Sequence, residues 1–461
     1  MVVYEIPAAR MNRLFISIII VAVLGAALTV FIRSTPPPPP LCNGCNVLLI
    51  SLDTFGAKHA SLYNPGIRTT PFLETLAEKS VVFDRAYAQS SWTLPSHAAL
   101  LTGQYPWDID VWDVLDPLPT TSTTIASYLE SAGYQTGAFS FGAFVQPFMN
   151  FDLGFSEFVG SPSQATWNDI PDIFNDALGW LDRRDDTRPF FLFLRPFELH
   201  DPYGAGDGEV HLGEIVDLNT ADEPPPQEEA RRLRDLYRSD IARVDSALQT
   251  LFDELENRGV LENTVIIITS DHGEEFGEHG TVGFHSVTLY AENTHVPLLI
   301  TLPNGESTRV PYTVEVRSIP ATIAELIGKP IPATFAGASL VPLIRGTEAA
   351  NRTVRSLTIH QRDKLLSTIE AAYESVKNNP VSERLPERRE AYEGPYLASV
   401  REGNWHALRT FAGARELYRL DTDPEEQANL EPSLLSFTRS LSGDDRRTLQ
   451  KVLTELDAFT P

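Results

Sequence analysis

The sequence predicts an α/β protein, a central and mostly parallel sheet with helices on both faces, followed by a smaller α+β region. Three observations carry this. Short runs such as Val47–Leu52, Phe190–Leu194 and Thr264–Thr269 are apolar at almost every position rather than at every second one, the pattern of strands buried on both faces. Between them lie helical stretches, clearest over Glu228–Arg258, where Leu233, Leu236, Tyr237, Ile241, Val244, Leu248 and Leu251 make one apolar stripe suited to core packing,. Several apolar runs also end abruptly in Asp, Glu and His, and the carboxyl ends of strands are where open α/β sheets gather ligands.

The chain of 461 residues is 42% hydrophobic, enough for a large core,. Its formal net charge of −25 excludes nucleic acid as a partner, because phosphate binding needs a basic face,. Leu14–Ile32 carry no charge and are long enough to span a bilayer, with Arg10 and Arg13 before the run and Arg33 after it,. The expected order is a cytoplasmic N-terminus (1–13), a transmembrane anchor (14–32), a Pro-rich linker (33–45), a first domain (46–345) and a C-terminal subdomain (346–461). The protein is thus expected to be a single-pass membrane protein with its bulk on the extracytoplasmic side. A cleaved signal peptide is the alternative, with the same exported outcome. Pro36–Pro40 make a stiff stalk,. Cys42 and Cys45, the only cysteines, could pair with each other or with another chain in an oxidising compartment,.

In chain order, the first strand is Val47–Leu52. A helix over Thr70–Lys79 with Pro71 at its start precedes a strand at Val81–Phe83,. Ser91-Trp92-Thr93-Leu94-Pro95-Ser96-His97-Ala98-Ala99-Leu100-Leu101-Thr102-Gly103 places a hydroxyl at the mouth of a helix, with Pro95 in its first turn and Gly103 as its stop,. Thr93 would face unpaired amides and the positive end of the helix dipole, which favour an anion; on its own, a Thr there is usually a cap. Helices over Thr124–Ala132 and Ile170–Leu181, strands over Thr136–Phe141 and Phe190–Leu194, the long helix, and strands over Thr264–Thr269 and Pro297–Ile300 complete the first domain. Residues 346–395 read as a charged surface segment. Strand-like pieces return at Tyr396–Val400, Trp405–Thr410 and Glu416–Leu420.

Two strands end in potential metal ligands, Ile50-Ser51-Leu52-Asp53 and Thr269-Ser270-Asp271-His272-Gly273,. Further polar clusters are Glu198-Leu199-His200-Asp201-Pro202-Tyr203 and Gly283-Phe284-His285. Histidine occurs ten times in the chain, and His200, His272, His279 and His285 all fall in these segments after strands. Neutral His ligates metal, and protonated His binds phosphate or sulfate oxygens or serves as a general acid.

These segments, taken in order with Thr93–Pro106, Leu289-Tyr290-Ala291-Glu292, Gly337–Leu340 and Asp423–Leu430, resemble the sulfatase family of the alkaline phosphatase superfamily over about residues 46–432. The resemblance implies an alkaline-phosphatase-like fold and a metal-dependent attack on a sulfate or phosphate ester. Asp53, Asp271 and His272 match metal ligands, Thr93 matches the nucleophile and a ligand, and His200 and His285 match substrate-contacting histidines, His200 as proton donor to the leaving group. His97 stands where sulfatases place a substrate-binding Arg. Sulfatases proper carry Cys or Ser at the Thr93 position, converted to formylglycine. Thr cannot be oxidised to an aldehyde, so no formylglycine is expected. The tandem acidic pair is reduced to Asp53-Thr54, and the lysine after the Gly-Tyr-x-Thr motif is missing from Gly133–Phe139.

One divalent cation is expected, Zn²⁺, Mn²⁺, Ca²⁺ or Mg²⁺, with mixed Asp, His and hydroxyl ligands suiting Zn²⁺ or Mn²⁺. His279 and Asp201 are the candidates for a second. The leading expectation is an exported, membrane-anchored hydrolase of sulfuric or phosphoric esters, acting on a small-molecule, lipid or glycan ester. The alternatives are a phospho-headgroup transferase acting on lipid or envelope glycan, and an inactive, metal-stabilised binding protein.

Overall fold

Fifteen strands organise the described residues: β1 (Asn46–Ser51), β2 (Ser80–Tyr87), β3 (Gln135–Phe141), β4 (Glu157–Ser161), β5 (Phe190–Arg195), β6 (Thr264–Thr269), β7 (Glu275–Phe276), β8 (Val282–Phe284), β9 (His295–Val296), β10 (Leu298–Thr301), β11 (Thr308–Glu315), β12 (Val354–Thr358), β13 (Leu397–Glu402), β14 (Trp405–Arg409) and β15 (Arg415–Arg419). The computed structural model describes residues 39–459, apart from 115, 143, 162–169, 205–209, 211, 221–224, 304, 306, 361–395 and 434–440. The expected transmembrane run at 14–32 lies outside the described residues, and no helix among them is long and apolar enough to cross a membrane.

The main sheet runs β11-β2-β10-β6-β1-β5-β3-β4, with β9 on β2. β1 lies at its centre, parallel to β5 on one side and to β6 on the other. β3 continues the parallel order next to β5, and β4 next to β3. β10 is antiparallel to both of its neighbours. The carboxyl ends of β1, β3, β5 and β6 therefore share one edge, which is where Phe141, Arg195, Asp53 and Asp271 fall.

Alternation within β1 splits the core. Val47 and Leu49 join one apolar cluster with the helices Thr93–Thr102, Ile125–Ser131 and Ile319–Leu326. Leu48 and Ile50 join the other, with the helices Pro71–Ala77, Ile170–Arg183 and Gln227–Asn257. Each such side chain, fully buried, contributes about 1.5–3 kcal/mol. The stripe read along the long helix is that packing face, with Leu233, Tyr237, Ile241, Val244, Leu248 and Leu251 buried.

A second, antiparallel sheet runs β12-β13-β14-β15. The helix Gly443–Ala458 packs Leu449, Val452 and Leu456 against Ala398, Val400, Trp405 and Ala407. β12 falls inside the stretch read from sequence as a charged surface segment, and 361–395 of that stretch lies outside the described residues. Leu41–Pro461 cluster as one unit by internal contacts. Cys42 and Cys45 are joined to each other by a disulfide.

β11 carries no expectation from sequence. Pro311 interrupts its pattern, and its register slips between Val310 and Thr313; both are tolerated because β11 is an edge strand,. The helix Pro71–Ala77 is capped from a distance. Thr70 makes no side-chain capping bond, and Asp245 of the long helix instead accepts from the amides of Phe72 at 2.8 Å and Leu73 at 3.0 Å. Asp245→Ala should lower stability by about 1–2 kcal/mol while leaving the site at the other end of the strands intact, checked by urea unfolding alongside a metal titration.

Candidate active site

The helix Thr93–Thr102 begins at Trp92, whose side chain makes no capping bond, and closes at Gly103 in the left-handed region with φ 70°. Thr93 is therefore the first helical residue rather than the cap, and its hydroxyl is not spent on its own helix. All ten helical residues are buried, so the helix is fixed by the core around it. Thr93 is 4% exposed, and its Oγ1 lies 3.3 Å from Nε2 of His272.

Asp53, Asp271 and His272 bring ligand atoms within 4.8 Å of one another, the only such trio of His, Cys, Asp or Glu among the described residues. Each is held by one atom and presents another. Asp271 Oδ1 accepts from the amides of Thr54 at 3.2 Å and His272 at 2.9 Å. Its Oδ2 has no aligned hydrogen bond but lies 3.2 Å from His97 Nδ1 and 3.3 Å from His272 Nε2. Asp53 Oδ2 accepts from the Arg195 guanidinium, and its buried Oδ1 has no partner. His272 Nδ1 lies 3.0 Å from the Gly273 carbonyl, which sets the proton on Nδ1 and leaves Nε2 as the lone pair. Orphaned buried carboxylate oxygens beside an imidazole lone pair fit a divalent cation.

The electrostatics agree. Burial alone would raise the Asp271 carboxyl, yet His272, His97 and Arg195 around it hold it far below the usual range. Burial holds His272 below the ordinary histidine value against the pull of Asp271, the direction that favours a ligating imidazole,. The ligand loop also needs Gly273, because a Cβ there would lie 2.0 Å from the Glu292 carbonyl oxygen. Thr54, beside Asp53, adopts φ 58°, a strained conformation for a β-branched residue.

Around the trio stand two of the expected histidines. The rings of His285 and His272 lie 4.3 Å apart, and those of His285 and His200 5.1 Å apart. His200 Nδ1 pairs with Asp201 Oδ1 at 2.7 Å. Burial pushes His200 down, but Asp201, with Asp53 and Glu274 further off, more than reverses this and carries it up to about 9. Burial lowers His285 to about 4, with the His200 charge adding to the effect. The two histidines therefore differ in protonation near neutrality, one charged and one neutral.

The structure moves two residues away from the roles their positions suggested. His97, expected to touch substrate, has no exposed surface. Its Nδ1 lies 2.9 Å from the Thr93 carbonyl and its Nε2 3.1 Å from Ser51 Oγ, so it sits behind Thr93 and between the two ligand-bearing strand ends. His279, a candidate for a second metal, stacks on Tyr290 at 3.5 Å and bonds to Glu292 and the Glu426 carbonyl. The other candidate, Asp201, is engaged with His200.

Two site residues carried no expectation. Arg195 is fully buried at the end of β5. The signal was a charge closing an otherwise apolar strand. Glu274, 1% exposed, accepts from Tyr203 Oη at 2.8 Å and lies 3.2 Å from His285 Nδ1 through either oxygen. It lay in the Asp-His-Gly-Glu motif without an assigned role.

The profile of the family described as Sulfatase matches residues 45–329. The chain belongs to the sulfatase family. Similar members include arylsulfatase K of Rattus norvegicus, 24% identical with 86% of this chain and 76% of that protein covered, and choline-sulfatase of Rhizobium meliloti strain 1021, 24% identical with 84% and 82% covered. The phosphonate monoester hydrolase of Agrobacterium radiobacter shares the fold, with a TM-score of 0.68 at 20% identity over 90% of this chain and 95% of that one. Within the sulfatase family, Asp53, Asp271 and His272 form this chain's candidate metal site.

Glu274 fixes how His285 faces the trio. Glu274→Gln should lower kcat about tenfold on ester substrates, the size of one lost hydrogen bond, with near-ultraviolet circular dichroism unchanged.

Proposed function

We propose that the protein hydrolyses sulfuric or phosphoric esters through a covalent intermediate on Thr93, with phosphoric mono- and diesters favoured by the threonine. The observation that carries this is the placement of Thr93 Oγ1 3.3 Å from His272 Nε2, beside Asp53 and Asp271 and at the start of a buried helix. A second support is the family itself, whose members named above are an arylsulfatase and a choline-sulfatase.

Asp53, Asp271 and His272, with Thr93, would hold a divalent cation. Such a cation lowers the pKa of a bound hydroxyl and polarises the oxygens of the ester. The chain supplies the rest. Oγ1 of Thr93, a residue 4% exposed, loses its proton to solvent and attacks phosphorus or sulfur from the helix start, where the amide dipoles favour negative charge. His200, held protonated by Asp201, donates a proton to the departing alkoxide as the ester bond breaks. His285, held by Glu274 and 14% exposed on its side chain, stands beside His200 to contact the transferring group. Water then cleaves the bond to Thr93 Oγ1, which regenerates the hydroxyl and releases sulfate, phosphate or, from a diester, a phosphate monoester, while His200 regains its proton from solvent. The uncharged run Leu14–Ile32 and the proline stalk support a membrane-tethered placement outside the cytoplasm, facing small-molecule, lipid or glycan esters,.

Thr93→Ala should abolish turnover of aryl sulfates, phosphates, phosphonates and phosphodiesters while the thermal midpoint stays within a few degrees. Retained turnover would overturn the nucleophile. Chelation should remove activity, and readdition of Zn²⁺ or Mn²⁺ should restore it.

His200 gives the pH dependence. Its folded-state value is raised to about 9, so the proton needed by the leaving group is present below that pH and lost above it. The kcat profile should fall above about pH 9 for esters of poor leaving groups. Asp201→Asn should move that limb downwards by at least one pH unit, because burial then acts on His200 without its main opposing charge.

A further inference from the structure

Arg195 has no part in the steps above, yet among the described residues its guanidinium pairs with a member of the ligand trio. It closes β5, and its side chain and that of Asp53 are both fully buried as an ion pair. Its second Nη donates to the carbonyl of Phe141, at the end of the neighbouring β3. Its guanidinium carbon lies 5.1 Å from the centre of the Phe197 ring, and that ring stacks on His200 with centroids 4.5 Å apart. The guanidinium is thus fixed from three sides. It lies beneath Asp53 and out of reach of solvent, whereas Thr93, His200 and His285 each keep some exposed surface.

Asp53 is divided by this arrangement. Oδ2 takes the guanidinium, and Oδ1 is buried without a partner. We propose that Arg195 is a positioning residue of the metal centre, an internal cation that shares Asp53 with the divalent ion, fixing Oδ2 so that Oδ1 is presented to the metal. The inference rests on the reading of Asp53, Asp271 and His272 as a metal site. It also sets a sign. A buried carboxylate without a counter-charge is costly, so Arg195 stabilises the protein when no metal is bound. Once a divalent ion arrives, the same guanidinium repels it across a short, water-poor distance. Arg195 therefore favours the metal-free fold and moderates metal affinity at the same time.

The test compares the full chain with Arg195→Met and Arg195→Lys, using Zn²⁺ or Mn²⁺ alone as the probe. Thermal midpoints are read in chelator and in excess metal, and metal affinity by calorimetry. In chelator, Arg195→Met should unfold at least several degrees below the parent chain. Its metal-induced rise should exceed that of the parent, with metal bound roughly tenfold more tightly. Arg195→Lys keeps the charge but not the fork that also reaches Phe141. It should fall between the two in both readings, and it decides the matter should Arg195→Met fail to fold.

Equal losses with and without metal, leaving the metal-induced rise at the parent value, would make Arg195 a structural ion pair and overturn the proposal. So would unchanged metal affinity with a raised KM for the ester, which would make it a substrate contact. A parent chain whose midpoint does not respond to any divalent ion would overturn the metal site itself, an outcome distinct from either.

Discussion

Two carboxylates forced together in a dry place are the constraint on which this structure turns. Asp53 and Asp271 have no exposed surface and stand within ligand distance of one another. Such a pair repels itself and loses its hydration. The fold answers by giving each carboxylate one tethered oxygen. Backbone amides take Asp271 Oδ1, and Arg195 takes Asp53 Oδ2. The imidazole beside them follows the same rule, tethered at Nδ1 by the Gly273 carbonyl. What remains is a set of unspent lone pairs aimed at one region, with the Thr93 hydroxyl at its edge.

The support for that set reaches into the antiparallel sheet. Glu426 is buried in a loop after β15. It pairs with Arg401 and His406 of the second sheet and accepts from the amide of Ala291 at 2.7 Å. His279 links Glu292 to the Glu426 carbonyl. Glu292 in turn offers the carbonyl that Gly273 packs under. The segment carrying His272 and His285 is thus braced by residues far later in the chain. Arg401 and His406 around it hold the Glu426 carboxyl down at about 2, although burial alone would raise it, so the brace keeps its charge throughout the physiological range.

Much of this was legible in the sequence, for reasons that particular residues make plain. β1, β5 and β6 are central and buried on both faces, so apolar continuity alone marks them. Asp53, Asp271 and His272 stood out because nothing in packing explains polar groups placed there. The edge strand β11 was hidden by Pro311, and β12 by the charged residues around it, since strands with a solvated side need not read as apolar runs. His97 was given a substrate contact because the resemblance puts a substrate-binding Arg at its position, whereas its buried ring lies beside Ser51 and Asp271, which only the sheet brings near. Arg195 and Glu274 were missed for the same reason. Each bonds to a partner remote in sequence, Asp53 for Arg195 and Tyr203 for Glu274.

The central position of β1 has a consequence for the order of events in making the protein. Both of its sheet neighbours, β5 and β6, are encoded downstream of it, and the bond that ties Thr54 to Asp271 spans 217 residues. A chain emerging from the ribosome with its N-terminus first exposes a bare apolar strand, and then Asp53, long before either can be paired. Contacts of such sequence separation are slow to form and leave sticky intermediates. The Glu426 brace arrives later still. The earliest part of the domain to be made is therefore among the last to be completed.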